Sequence, residues 1–173
     1  MTDLGIKNLT VNNWLEPDEP SKIFVRISSD GQPYPMTGDE CANVILEPNL
    51  LETVPLDIRR LFEVTRGAMV YSYFFYPMWT LAVEQLFRVA EAAISHKCQA
   101  KGAPASKDTL KKKIDWLIEV SEIPESERTT WNWIREARNW ASHLETQTIL
   151  TPSMAIQLLE AVTERINSLF RGG

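Results

Sequence analysis

The chain is poor in the residues that would make several chemistries easy. It holds two cysteines, Cys41 and Cys98, and two histidines, His96 and His143. Two cysteines are too few for a disulfide framework, and neither has zinc-type spacing to other ligands, so both read as reduced thiols. No Gly-rich phosphate loop and no metal cluster stands out, so neither a cofactor nor a metal is expected. There is no internal repeat and no low-complexity tract. The opening MTDLGIKNLTVNNW lacks the basic start and apolar block of a signal peptide. The longest uncharged run, between Arg66 and Glu84, contains Gly67, Ser72, Pro77 and Thr80. It is slightly short for a bilayer and reads as a buried core helix. These absences together lead to the expectation of a cytoplasmic protein with no membrane partner. A surplus of basic charge is also missing. A net charge of -5 argues against a general nucleic-acid coat protein, while a small basic site on an acidic body stays open. The negative excess falls in residues 1–66, and residues 67–173 hold equal numbers of acidic and basic side chains.

What is present is helical pattern. Residues 1–54 differ from the rest, being rich in Pro, Asp, Asn and Glu, with turn signals at Ser29-Asp30-Gly31-Gln32-Pro33 and Thr37-Gly38-Asp39. Lys22–Ile27 suggests one short strand. The remainder reads as an extended N-terminal arm that adds little to the core. Residues 55–173 read as an all-α domain, a bundle of about five helices. The first runs from Leu56 to about Tyr76, where Pro77 breaks it. The second runs from about Met78 to Ala100 and ends near Gly102. Its stripe of Trp79, Ala82, Val83, Leu86, Phe87, Ala90, Ala93 and Ile94 has the spacing of a core-facing helix. The third covers about Lys107 to Glu122, with Ser106 as N-cap and Leu110, Ile114, Leu117 and Ile118 inward. Pro124 and Ser126 open the fourth. Residues 146–150 form an extended loop, and Thr151-Pro152 starts the last helix, which runs to about Phe170.

The fourth helix carries the chemistry. At about 100° per residue, Trp133, Ile134, Ala137, Trp140, Ala141 and Leu144 fall on one side. Asn132, Glu136, Asn139 and His143 line the other, flanked by Arg135 and Ser142, with Arg138 at the edge. This polar stripe is built of groups that form directional hydrogen bonds rather than of the Lys and Glu of a solvated face. Trp131 sits among Arg135, Arg138 and Ser142, so it reads as an interface residue, a stacking surface for a base, or a cation–π partner. An Arg and a His close together supply a fixed cation and a group that titrates near neutral pH, which suits cleavage of a phosphodiester. An ordinary surface helix is the competing reading of the same residues. Arg138 and His143 are five apart, roughly 140° around an ideal helix. They meet at one phosphate if the helix distorts or if two copies join through a two-fold interface.

Arg138-Asn139-x-x-x-His143 follows Leu86–Ile94 and Thr109–Leu117 in the order of two helices and precedes a final amphipathic helix. In these features residues 55–171 resemble the HEPN superfamily (higher eukaryotes and prokaryotes nucleotide-binding domain), close to bacterial HEPN-related proteins of unassigned function. The resemblance implies an all-helical bundle. In active members it implies a metal-independent ribonuclease that works as a homodimer with a composite site. The RNA 2′-hydroxyl attacks the adjacent phosphate and leaves a cyclic phosphate end. Carried onto this chain, His143 moves the proton, Arg138 neutralises the transition state, and Asn139 positions the phosphate or the Arg. Glu84 and Glu91 are candidates for the acidic residue that some members supply from an earlier helix. A toxin–antitoxin or phage-defence setting, with RNA and an antitoxin or other protein as partners, comes from the resemblance alone.

Two readings stand. One is this endoribonuclease. The other is a non-catalytic module of the same fold for dimerisation or for binding RNA, nucleotide or a partner protein. The intact Arg-Asn-x-x-x-His favours the first, and the acidic body favours the second. The remaining signals have plain explanations. Lys107, Lys111, Lys112 and Lys113 read first as a solvated helix end, Glu84 with Arg88 as an i, i+4 pair, and His96 as a helix-end residue suited to the macrodipole.

Overall fold

Local capping chemistry sets the element boundaries. In the computed structural model, which describes residues 6–22, 24–141 and 150–171, with the side chains of 139–141 left out, 62% of the described residues are helical. Among the described residues seven α-helices accompany one small two-stranded sheet. The N-terminal part holds α1 (Glu19–Lys22), β1 (Val25–Ile27), β2 (Pro33–Pro35) and α2 (Gly38–Leu46). The strands pair antiparallel, Val25 opposite Pro35 and Ile27 opposite Pro33. Gly31 turns the hairpin at φ +83°, a backbone that side chains disfavour. The strand expected over Lys22–Ile27 is thus shorter, because Lys22 closes α1.

The body comprises α3 (Leu56–Tyr71), α4 (Met78–Ala100), α5 (Leu110–Glu119), α6 (Arg128–Ala141) and α7 (Pro152–Phe170). The expectation of an all-α architecture holds at the level of class. α3 stops a turn earlier than expected. Ser72 caps it, its hydroxyl donating to the Ala68 carbonyl at 2.8 Å. α4 keeps the expected bounds and ends at Ala100, two residues before Gly102 at φ +74°. α5 begins late because Thr109, rather than Ser106, accepts the Lys112 N–H. A 3₁₀ turn over Glu125–Glu127 leads into α6. Thr151 caps α7, with Pro152 at its first position, where a missing N–H costs nothing.

α4 is the central element and packs against α3, α5, α6 and α7. Each residue of its expected apolar stripe, Trp79 through Ile94, is buried. Ile114, Leu117 and Ile118 of α5 are buried as well, while α7 contributes Leu158, Leu159, Val162 and Ile166. No described helix is long and apolar enough to cross a membrane.

The expectation that residues 1–54 add little to the core is overturned. Cys41, Ile45 and Val54 belong to the same buried cluster as the α4 stripe. Burying a side chain such as Ile45 contributes roughly 2–3 kcal/mol. The Thr37-Gly38-Asp39 turn signal is instead the start of α2. The Thr37 hydroxyl accepts the Glu40 N–H while the Glu40 carboxylate accepts the Thr37 N–H, a reciprocal cap. Two buried polar side chains then fix the segment after α2. Arg66 donates to the carbonyls of Leu46 at 3.0 Å and Pro48 at 3.2 Å. Asn167 on α7 accepts the Leu51 N–H at 2.8 Å and donates to the Asn49 carbonyl at 2.9 Å.

Candidate functional site

α6 enters the bundle against α4 and α5, and the face it turns inward decides what its side chains can do. Trp131 is 1% exposed and Ile134 2% exposed, whereas Trp133 is 48% exposed. The sequence-based assignment of faces is therefore rotated. The side bearing Trp131, Arg135 and Arg138 is the inner one, and Trp133, expected inside, faces out.

Trp131 is in consequence not available to a base or to a partner subunit. Its indole N–H donates to Glu127 at 3.3 Å. Glu127 also takes Arg165 of α7 at 2.8 Å and the Ser168 hydroxyl at 3.3 Å. This cluster ties the start of α6 to α7 and explains why a Trp beside two arginines is buried. The indole N–H has a partner, so the ring can be enclosed without leaving its own donor unsatisfied.

Arg138 lies one turn before the end of α6 and reaches α4. Its guanidinium meets the Glu91 carboxylate at 2.9 Å, with the two side chains 40% and 33% exposed. Of the candidate residues, these two are brought together. Glu84 lies about two turns N-terminal of Glu91 on α4, on the same face and partly buried. Arg135 pairs with its neighbour Glu136 at 2.8 Å. Asn139 is part of α6, but its side chain, together with Ser142 and His143, lies outside the described residues.

Two side chains that the sequence placed on the polar side of α6 are buried at one atom each. Asn132 Oδ1 and Arg135 Nε are buried without a hydrogen-bond partner among the described residues. The inner edge of α6 thus holds spare hydrogen-bonding capacity, both a donor and an acceptor. An i, i+3 pair of Asn and Arg at a core boundary is the only sequence trace of this.

Three of the four lysines at and before the start of α5 are engaged within the chain. Lys107 pairs with Glu119 at 3.3 Å and Lys112 with Asp108 at 2.8 Å. Lys113 donates to Ser95 of α4 at 2.9 Å. On the neighbouring edge, Glu122 takes Lys101 at 2.5 Å and Lys97 at 3.0 Å. The hydrogen bond from Lys101 holds the Glu122 carboxyl below its ordinary range, helped by Lys97 and opposed by burial. His96, expected to be structural, is exposed and its ring lies 6.1 Å from that of Phe170.

No family model matches the chain, and no curated protein or solved structure matches it either.

Proposed function

We propose that this chain is a metal-independent endoribonuclease of the HEPN type, acting as a homodimer through a composite site. The observation that carries the reading is the Arg138–Glu91 pair. It sets the arginine of the Arg-Asn-x-x-x-His motif against Glu91 at the α4–α6 junction, with the arginine side chain 40% exposed. A planar cation held in this way suits bidentate contact with a phosphate. In the proposed reaction His143 takes the proton of the RNA 2′-hydroxyl as its oxygen attacks the adjacent phosphorus. Arg138 stabilises the added negative charge, and the bond to the 5′-oxygen breaks as that oxygen takes up a proton from solvent, leaving a cyclic phosphate and a 5′-hydroxyl. Asn139 positions the phosphate, and Glu91 holds Arg138. RNA is the substrate, and an antitoxin-like protein is the kind of partner a growth-arresting nuclease requires.

One observation favours the second reading, a binding module of the same architecture. Lys107 and Lys112 are ion-paired within the chain and Lys113 donates to Ser95, which leaves little basic track for an RNA backbone. The same preparation distinguishes the two. Purified protein is incubated in EDTA with single-stranded and structured RNAs, and with a substrate carrying 2′-deoxy at the cleaved position. Cleavage that persists in EDTA, needs the 2′-hydroxyl and leaves a cyclic end is expected. His143→Ala should lower it by about two to four orders of magnitude. Arg138→Lys should fail too, because a point charge lacks the planar fork. Equal cleavage by wild type and His143→Ala would indicate a contaminant. Absence of cleavage, with RNA or protein binding retained, would select the module.

A further inference from the structure

Residues 7–22 meet the body at buried Asp18, whose charge is faced by Lys7 of the same segment, rather than through apolar packing. Asp18 is 1% exposed. Its Oδ2 accepts the N–H of Tyr76, in the connector between α3 and α4, at 2.9 Å. Its Oδ1 has no hydrogen-bond partner and faces the Lys7 ammonium at 3.7 Å. That ammonium also donates to the carbonyls of Asn13, at 2.8 Å, and Glu16, so the loop 8–16 is wound around it. The large apolar side chains of the segment, Leu9, Val11, Trp14 and Leu15, are exposed. Only Asp18 and Ser21 are buried within it.

Under its end is a cavity of about 10 Å³, walled by Ser21 on one side and by Cys41, Tyr73 and Trp79 among others, with room for one water-sized guest. The Ser21 hydroxyl is buried there without a partner. The neighbouring hairpin is held independently. Phe24 stacks on Tyr76 with ring centres 5.9 Å apart, and the Tyr73 hydroxyl donates to the Met36 carbonyl at 3.3 Å.

We propose that residues 7–22 are a lid over this cavity, held shut by the Asp18 hydrogen bond to Tyr76 N–H while Lys7 offsets the buried charge, and opening as a unit while the helical body stays folded. A segment with few buried apolar contacts opens at a lower free energy than the core it covers. A buried carboxylate that loses its cation is left uncompensated and drives such opening. Opening exposes the Cys41 thiol and the Ser21 hydroxyl together.

The two cysteines make the test internal. Cys41 lies in the cavity wall, whereas Cys98, 3% exposed, faces the Lys113 carbonyl between α4 and α5. Burial raises the pKa of both thiols, that of Cys41 to about 11, so both react slowly while enclosed. The full-length chain is labelled with dithionitrobenzoate and each cysteine is followed by peptide mass. In the wild type Cys41 should label faster than Cys98. Lys7→Gln should speed Cys41 by at least about ten-fold and leave Cys98 unchanged. Adding Asp18→Asn to Lys7→Gln should slow Cys41 again, because the unpaired buried charge is gone and an acceptor for Tyr76 N–H remains. The lid is refuted if both thiols accelerate together, if Lys7→Gln leaves Cys41 unchanged, or if the double variant is no slower. Should Lys7→Gln not fold, the wild-type amides decide. Tyr76 N–H must exchange faster than Val83 and Leu86 of α4, and equal exchange overturns the proposal.

Discussion

Replacing Trp131 and Trp133 separately by Ala distinguishes a core anchor from a surface residue on the same helix. The two side chains are two residues apart, so about 200° around the helix, and the structure gives them 1% and 48% exposure. Truncating a fully buried Trp removes the transfer free energy of the ring and leaves a void that the bundle fills only in part. The cost is about 3–5 kcal/mol, a large fraction of the roughly 5–15 kcal/mol available to a domain. Truncating Trp133 should cost within about 0.5 kcal/mol of nothing, as surface changes usually do. Trp131→Phe lies between. It keeps most of the ring volume and loses the hydrogen bond to Glu127, which retains Arg165 and Ser168. About 1–2 kcal/mol is expected.

Urea unfolding followed by helical circular dichroism measures all three. Midpoints should shift in the order Trp131→Ala, Trp131→Phe, Trp133→Ala at constant slope, since the surface exposed on unfolding barely changes. Sedimentation of the folded fraction supplies the second measurement, and Trp131→Phe should keep the oligomeric state of the wild type. A cost below about 1 kcal/mol for Trp131→Ala would refute the inward orientation of this face. So would a loss that depends on protein concentration, because that is how a subunit interface behaves.

Three other outcomes follow from the structure. Ser121, just after α5, has φ 60°, a left-handed backbone that Gly adopts without a Cβ clash. Ser121→Gly should stabilise by about 0.5–1 kcal/mol in the same urea assay. The depressed Glu122 carboxyl, set first by the Lys101 hydrogen bond, stabilises the fold above its unfolded value near 4.5. That contribution disappears as pH falls through the lower folded value. Glu122→Gln should therefore be less stable than wild type at pH 7, and the two should converge in acid. Deleting residues 1–54 removes Cys41, Ile45 and Val54 from the core, so the truncated chain should lose its cooperative melt, and an unchanged melt would show that these contacts carry no stability.

The sequence was most informative where one helix met one core. α4 keeps its expected bounds and its expected buried stripe because Pro77 and Gly102 frame an unambiguous apolar period. α7 was equally legible from Thr151-Pro152. α2 was legible in principle, since Thr37-x-x-Glu40 is a cap signature. The flanking Gly and Asp, however, are also turn residues, and a helix of nine residues offers only two buried apolar positions to set its phase.

α6 failed for a different physical reason. Trp131 and Trp133 supply two large apolar rings on opposite sides, so hydrophobic periodicity allows two phases. The sequence reading took the phase that kept Arg135 and Arg138 out of the core. The fold takes the other, because carboxylates on neighbouring elements make it affordable to bring Trp131 and the Arg138 stem inward. Glu127 joins Trp131 to Arg165, and Glu91 of α4 meets Arg138. A long basic side chain covers apolar surface with its stem and takes its charge to a partner at the boundary. That partner lies on another helix, so no pattern within α6 reveals it. For the proposed nuclease the inward phase has a direct consequence. It places the motif arginine against the acidic residue of α4 within one subunit, so a second subunit is not needed to position Arg138. Dimerisation would then matter for bringing two motifs to one phosphate. A variant that dissociates the dimer should accordingly lose cleavage while keeping its thermal stability, whereas Glu91→Ala should lose cleavage in a protein that still dimerises. If Glu91→Ala cleaves RNA as the wild type does, the Arg138–Glu91 pair is a structural contact and the argument from its geometry to catalysis fails.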